Sequence, residues 1–164
     1  MRSFELLPLD VTSEGSVDAT VRELLRVEGR IDLLVNNAGF SVAPAGAEES
    51  SIEQARAIFD TNSFGIVRMT RAVVPHMRRQ GAGRIINIGS VLGFLPAPYM
   101  AHYWATKHAV EGYSESLDHE LRTRAIKEVR VHDLRHTYGA RLRAAGVTAE
   151  DRAALLGHKH ALDD

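Results

Sequence analysis

The chain is 164 residues long, 45% hydrophobic and 25% charged, with a formal net charge of −1. That size and composition describe one folded domain, or a domain with a small appendage, and exclude a disordered chain. The absence of cysteine excludes disulfides and thiolate chemistry and fits a reducing, cytoplasmic setting; no apolar run reaches the ~20 residues of a membrane span.

Residues 1–10 are too short and too acidic for a signal peptide. Residues 4–11 (FELLPLDV) read as a short buried strand, with Pro8 marking an edge or irregular position. Ser16 is placed to cap a helix to about Glu28, with Val17, Val21, Leu24 and Leu25 on one face and Gly29 as its stop. Residues 31–35 form a second strand that enters the loop Asn36-Asn37-Ala38-Gly39, and the Ala-, Gly- and Pro-rich stretch 40–49 is loop. Ser51 opens a helical region to about Gln80, read as two helices with a break near residues 61–65. After a glycine turn at 81–83, residues 84–89 (RIINIG) form a third strand that delivers Ser90 at its carboxyl end. A loop at 91–101 and a long helix over about 103–124 follow.

Strands alternating with helices predict parallel crossovers and a three-layer α/β domain. In such sheets ligands bind beyond the carboxyl ends of the strands. Asp10, the loop Asn36–Gly39 and Ser90 all fall at those ends. Ser90 stands thirteen residues before Tyr103, and Tyr103 stands four before Lys107. On a helix that i, i+4 pair shares one face, and an ammonium beside a phenol favours the phenolate. A phenol so tuned can pass a proton to or from an alcohol oxygen, and Ser90 can hydrogen-bond the same oxygen.

These residues resemble the short-chain dehydrogenase/reductase family over residues 4–123. Asp10-Val11 resembles its acidic pair at the adenine, Asn36-Asn37-Ala38-Gly39 its signature after a strand, and Asn62-Ser63-Phe64-Gly65 its Asn-x-x-Gly element. Ser90, Tyr103 and Lys107 match its catalytic serine and Tyr-x-x-x-Lys in order and spacing. The resemblance implies a Rossmann-like sheet and NAD- or NADP-dependent hydride transfer to or from a small-molecule alcohol or carbonyl. It makes Tyr103 the general acid/base, Lys107 its partner and a ribose ligand, Ser90 the substrate-orienting group and Asn62 the holder of a relay water. Asp10, Val11, Asn37, Ala38, Gly39, Tyr103 and Lys107 would then contact the cofactor. Homo-oligomers through helices 51–80 and 103–123 are a further implication.

Two departures accompany these matches. The Thr-Gly-x-x-x-Gly-x-Gly turn, which in the family cradles the pyrophosphate, does not occur, so a truncated sheet beginning at the family's third strand and a degenerate activity are expected. In addition, Val131-His132-Asp133-Leu134-Arg135-His136-Thr137-Tyr138 and Leu155-Leu156-Gly157-His158-Lys159 resemble the C-terminal part of tyrosine recombinases. There a His-x-x-Arg pair (His132, Arg135) and a later histidine (His158) surround a phosphate, which suits arginine's planar fork. The expected organisation is thus a partial dinucleotide-binding domain over 1–124 and an all-helical recombinase-like fragment over 125–164, with helices at 137–146 and 148–156.

Charge follows the same division, with 11 Lys/Arg against 15 Asp/Glu over residues 1–120 and 9 against 6 over 121–164. DNA is a partner only under that alternative, and recombination itself is not expected because no tyrosine follows His158. His132, His136, His158 and His160 are read without a metal, since no cysteine or carboxylate cluster joins them.

Overall fold

The structure is a computed structural model that describes residues 6–90 and 98–123, and the backbone of residues 129–132. The remaining residues of the recombinase-like segment, including its two expected helices, lie outside the described residues, as does most of the loop expected at 91–101.

Helix α1 (Glu14–Glu28) begins at Ser13, whose side chain accepts from Ser16 N at 3.3 Å, and ends at Gly29 in the left-handed conformation, φ 72°. The N-cap is therefore Ser13 and not Ser16. Ser16 has other work: its Oγ accepts the backbone N–H of Asp10 at 2.9 Å. Thr20 Oγ1 likewise donates to Pro8 O at 2.8 Å. These two bonds explain why the strand expected over 4–11 is not formed by residues 6–10. Their backbone is engaged by α1 side chains instead of a neighbouring strand, and Pro8 has no N–H to give.

Strand β1 (Leu33–Asn36) leads to α2 (Ile52–Phe59), which Ser51 and Gln54 start with a reciprocal capping box. The break expected near 61–65 is one π-helical turn, Asp60–Phe64, so the chain stays helical from α2 into α3 (Gly65–Gln80). Gly81, at φ 73°, ends α3 and β2 (Gly83–Asn87) follows. Helix α4 (Ala101–Thr123) and strand β3 (Val129–His132) complete the described elements. The sheet takes up these last four residues, which the sequence had assigned to the helical appendage; Val-Arg-Val-His, with two β-branched residues, suits a strand.

The strands lie in the order β1-β2-β3, all parallel, with Leu34 opposite Ile85 and Ile85 opposite Val131. Right-handed crossovers that add strands in one direction put their helices on one face of the sheet. The core shows this: Leu34 and Ile85 pack with Val17 and Val21 of α1, Met69, Val73 and Met77 of α3, and Leu117 and Leu121 of α4. On the other face Leu33 and Val35 are 50% and 48% exposed, and Arg84 is exposed too. Among the described residues the expected three layers are therefore two.

Candidate active site

The carboxyl ends of β1 and β2 are tied to α4 by buried amides. Asn36 Nδ2 donates to Asn87 Oδ1 at 2.8 Å, Asn87 Nδ2 donates to Ser114 Oγ at 2.8 Å, and Ser114 Oγ donates to Val110 O at 2.6 Å. All three side chains are buried, so each bond is made in a setting where water cannot substitute.

A second knot forms at the π-turn. Asn62 is 1% exposed. Its Oδ1 accepts from Phe40 N and its Nδ2 donates to Phe40 O, both at 2.9 Å, and the same Nδ2 reaches Thr106 Oγ1 at 3.2 Å. Thr106 Oγ1 in turn donates to Tyr103 O at 2.6 Å. Asn62 thus joins the Asn37–Gly39 loop to the helix that carries Tyr103 and Lys107. Gly39 permits this approach, because a Cβ there would lie 3.1 Å from Asn62 Oδ1.

Lys107 is 7% exposed. Its Nζ donates to Ile88 O at 2.9 Å, just past the end of β2, and lies 5.7 Å from the centroid of the Tyr103 ring. That is within the range of a cation–π contact. Burial pushes the ammonium below its ordinary value, and the Glu111 carboxylate opposes that push. Ser90 sits half-buried beyond the same strand end. The expected quartet is therefore distributed over three converging elements: Asn62 on the π-turn, Ser90 after β2, and Tyr103 and Lys107 on α4.

The expected cofactor contacts divide. Val11, Asn37 and Ala38 line one apolar cleft of about 200 Å³, together with Leu9, Gly65 and Met69. Gly65 is needed there, since a Cβ would meet Val11 Cγ2 at 2.9 Å. Asp10 does not line it. Its Oδ1 accepts from Thr12 N at 2.9 Å and Thr12 Oγ1 at 2.7 Å, and these bonds, the hydroxyl first, hold the exposed carboxyl below its ordinary value. A larger open groove of about 460 Å³, lined by Ile52, Arg56, Phe59 and Phe64 among others, contains none of the expected site residues.

Sequence reasoning missed Asn36's partner Asn87, the bridging Thr106 and Ser114, and the buried Glu111. A signal existed for one: an asparagine inside the apolar run Ile85-Ile86-Asn87-Ile88 is a polar group that needs a buried partner. Among the described residues no group of three His, Asp or Glu is placed to hold a metal, and no helix is long and apolar enough to cross a membrane.

A parallel sheet with a buried lysine, a tyrosine, a serine and an asparagine beyond its strand ends has a Rossmann-like architecture. The family model for short chain dehydrogenase matches residues 1–135, and the chain belongs to that family. A 3-ketodihydrosphingosine reductase of Bacteroides thetaiotaomicron is 43% identical over 122 residues, which are 74% of this chain and 45% of the relative. An NADP-dependent 3-hydroxy acid dehydrogenase of Escherichia coli is 39% identical over 119 residues, 73% of this chain and 48% of the relative. The crystal structure of a short chain dehydrogenase/reductase from Burkholderia phymatum in complex with NAD superposes with a TM-score of 0.73 at 36% identity, covering 76% of this chain and 44% of that one. The chain spans under half the length of these relatives.

Proposed function

We propose that this chain carries the proton-transfer half of an NAD- or NADP-linked oxidoreductase site for small alcohols or carbonyl compounds. The observation that carries the reading is Lys107: a buried ammonium, fixed by the Ile88 carbonyl and set over the Tyr103 ring at the carboxyl edge of the sheet. In reduction the Tyr103 hydroxyl gives its proton to the substrate oxygen, and Lys107 stabilises the phenolate that remains. Ser90 hydrogen-bonds that same oxygen. Asn62, held by Phe40 and Thr106, fixes the loop against α4 and orients a relay water. In oxidation the proton returns to Tyr103.

When bound, the nicotinamide cofactor supplies or accepts the hydride. The residues present suit its nicotinamide-ribose and adenine ends: Lys107 has three N–H donors, of which Ile88 O takes one, and Val11, Asn37 and Ala38 share a cleft beside Gly39. Asp10 would sit near the adenine side. The 164 residues contain no Gly-rich pyrophosphate turn, so the proposal for this chain by itself is a reduced activity. The open apolar groove on α2, with Ile52 61% and Phe64 54% exposed, supports a homo-oligomer.

The test is consumption of NADH or NADPH with a panel of small aldehydes and ketones, by the wild type and by Tyr103→Phe. Removal of a general acid costs about 10²–10⁴-fold, and a loss in that range is expected. Equal turnover by both proteins would refute the role of Tyr103.

A second reading rests on sequence. The family match runs to residue 135 and takes in His132 and Arg135, so this reading draws only on the sequence of residues 121–164, with 9 Lys/Arg against 6 Asp/Glu, and on His158 beyond the match. A recombinase-derived fragment there, or a catalytically inactive fusion product, would explain that tail. Salt-sensitive binding to duplex DNA distinguishes the first of these.

A further inference from the structure

We propose that Glu111 is a positioning residue whose carboxylate, one helical turn beyond Lys107, keeps that side chain protonated and directed at Tyr103 and the Ile88 carbonyl. The inference deepens the oxidoreductase reading and rests on it for its functional meaning, though not for its test.

Three observations place the carboxylate. Tyr103, Lys107 and Glu111 follow one another at i, i+4 steps along α4, so they share one face of the helix. Lys107 is 7% and Glu111 8% exposed, so the pair faces the interior, where charges are weakly screened. Finally, Glu111 reaches across to the strand end that holds Lys107: a Cβ on Gly89 would lie 2.5 Å from Glu111 Oε1, while Lys107 Nζ bonds the preceding carbonyl of Ile88. Glycine at 89 is thus what lets the carboxylate lie there.

A lysine with a glutamate four residues later is the weaker orientation for an exposed helical pair. Burial reverses the ranking of effects. A buried ammonium is driven to give up its proton unless an opposite charge stands close, and a neutral Lys107 would not favour the Tyr103 phenolate. The other groups facing Lys107 do not substitute for Glu111. Among the described residues, Tyr103 is the titratable group that the Lys107 ammonium overlies. Gly83–Asn87 of β2 bring only Arg84, exposed near the opposite end of the strand, and the π-turn brings only Asp60, which is paired with Arg68 at 2.6 Å.

The sequence makes the test direct, because it contains three lysines, Lys107, Lys127 and Lys159. The 13Cε-lysine NMR signals are titrated against pH in the full chain without cofactor, and Lys107 is assigned by loss of its signal in Lys107→Arg. Glu111→Gln is expected to weaken proton binding at Lys107 at least tenfold, a downward shift of about one pH unit or more, with the other two signals unmoved. Gly89→Ala, which displaces the flexible end of Glu111 and leaves the carboxylate in the chain, is expected to shift Lys107 in the same direction by less; it decides the matter should Glu111→Gln fail to fold. A Lys107 midpoint that stays in place, or rises, in the folded variants overturns the proposal and leaves Glu111 a packing residue. Because no turnover is read, this outcome is independent of whether Tyr103→Phe changes activity.

Discussion

Asn87, which no motif picked out, ties β1 to α4. It takes one bond from β1 and gives one to α4, and both partners are buried. Asn87→Ala leaves the Asn36 amide and the Ser114 hydroxyl without it, and an unsatisfied buried group costs about 1–3 kcal/mol. A loss of that size in urea unfolding is expected, and an unchanged midpoint would show that the bonds contribute nothing net. Lys107 gives a second prediction. Its proton affinity is lowered by burial, so the unfolded chain binds the proton more tightly than the fold does. Stability should therefore rise with pH from the lowered midpoint up to the ordinary value of 10.5, and fall away as pH drops through that midpoint. Lys107→Met should flatten this part of the stability curve, measured by denaturant titration across the alkaline range. At this scale the sequence offered candidates, Tyr103, Lys107 and Ser90 by their spacing and Asn62 by family resemblance. Their supports were not legible, because a buried amide pair between β1 and β2 depends on register, which single-strand patterns do not reveal.

The elements show where local signals won and where tertiary context overrode them. Caps marked most of the helix ends: Ser51 starts α2, and Gly29 and Gly81 end α1 and α3, whereas α1 starts at Ser13 and not at the expected Ser16. The break near residues 61–65 was readable in position but not in kind. A π-turn keeps the chain helical while it turns Asn62 inward to Phe40 and Thr106. The strand expected over 4–11 is not formed at residues 6–11, because an apolar run signals burial, not pairing. Residues 8–11 are held by Ser16, Thr20 and Arg68, the last donating to Val11 O at 3.2 Å. Gly65 is the hinge of this arrangement. Gly65→Ala would press a methyl into Val11 and should cost about 1–3 kcal/mol by overpacking, visible as a lower thermal midpoint. A neutral result would mean that residues 9–11 do not pack on α3 in solution.

Over the whole molecule, the alternation of strands and helices correctly indicated a parallel α/β sheet, and the family match covers residues 1–135. The layer count was less legible. A continuous apolar run such as Leu33–Val35 implies burial on both faces, yet Leu33 and Val35 are half-exposed, and within β1 Leu34 and Asn36 are the buried residues. An exposed apolar strand at a sheet edge invites self-association. The double substitution Leu33→Thr and Val35→Thr should lower association, measured by light scattering against concentration, with little change in unfolding midpoint.

The central claim is that the cluster around Lys107 and Tyr103 still recognises a nicotinamide cofactor. The most direct measurement is a thermal unfolding scan of the chain with and without NADH and NADPH. A ligand that binds only the folded state adds about 2.7 kcal/mol of stability at a hundredfold excess over its Kd. A cooperative transition that rises with one cofactor, and a smaller rise in Lys107→Met, is the predicted result. A transition that neither cofactor moves would contradict the claim.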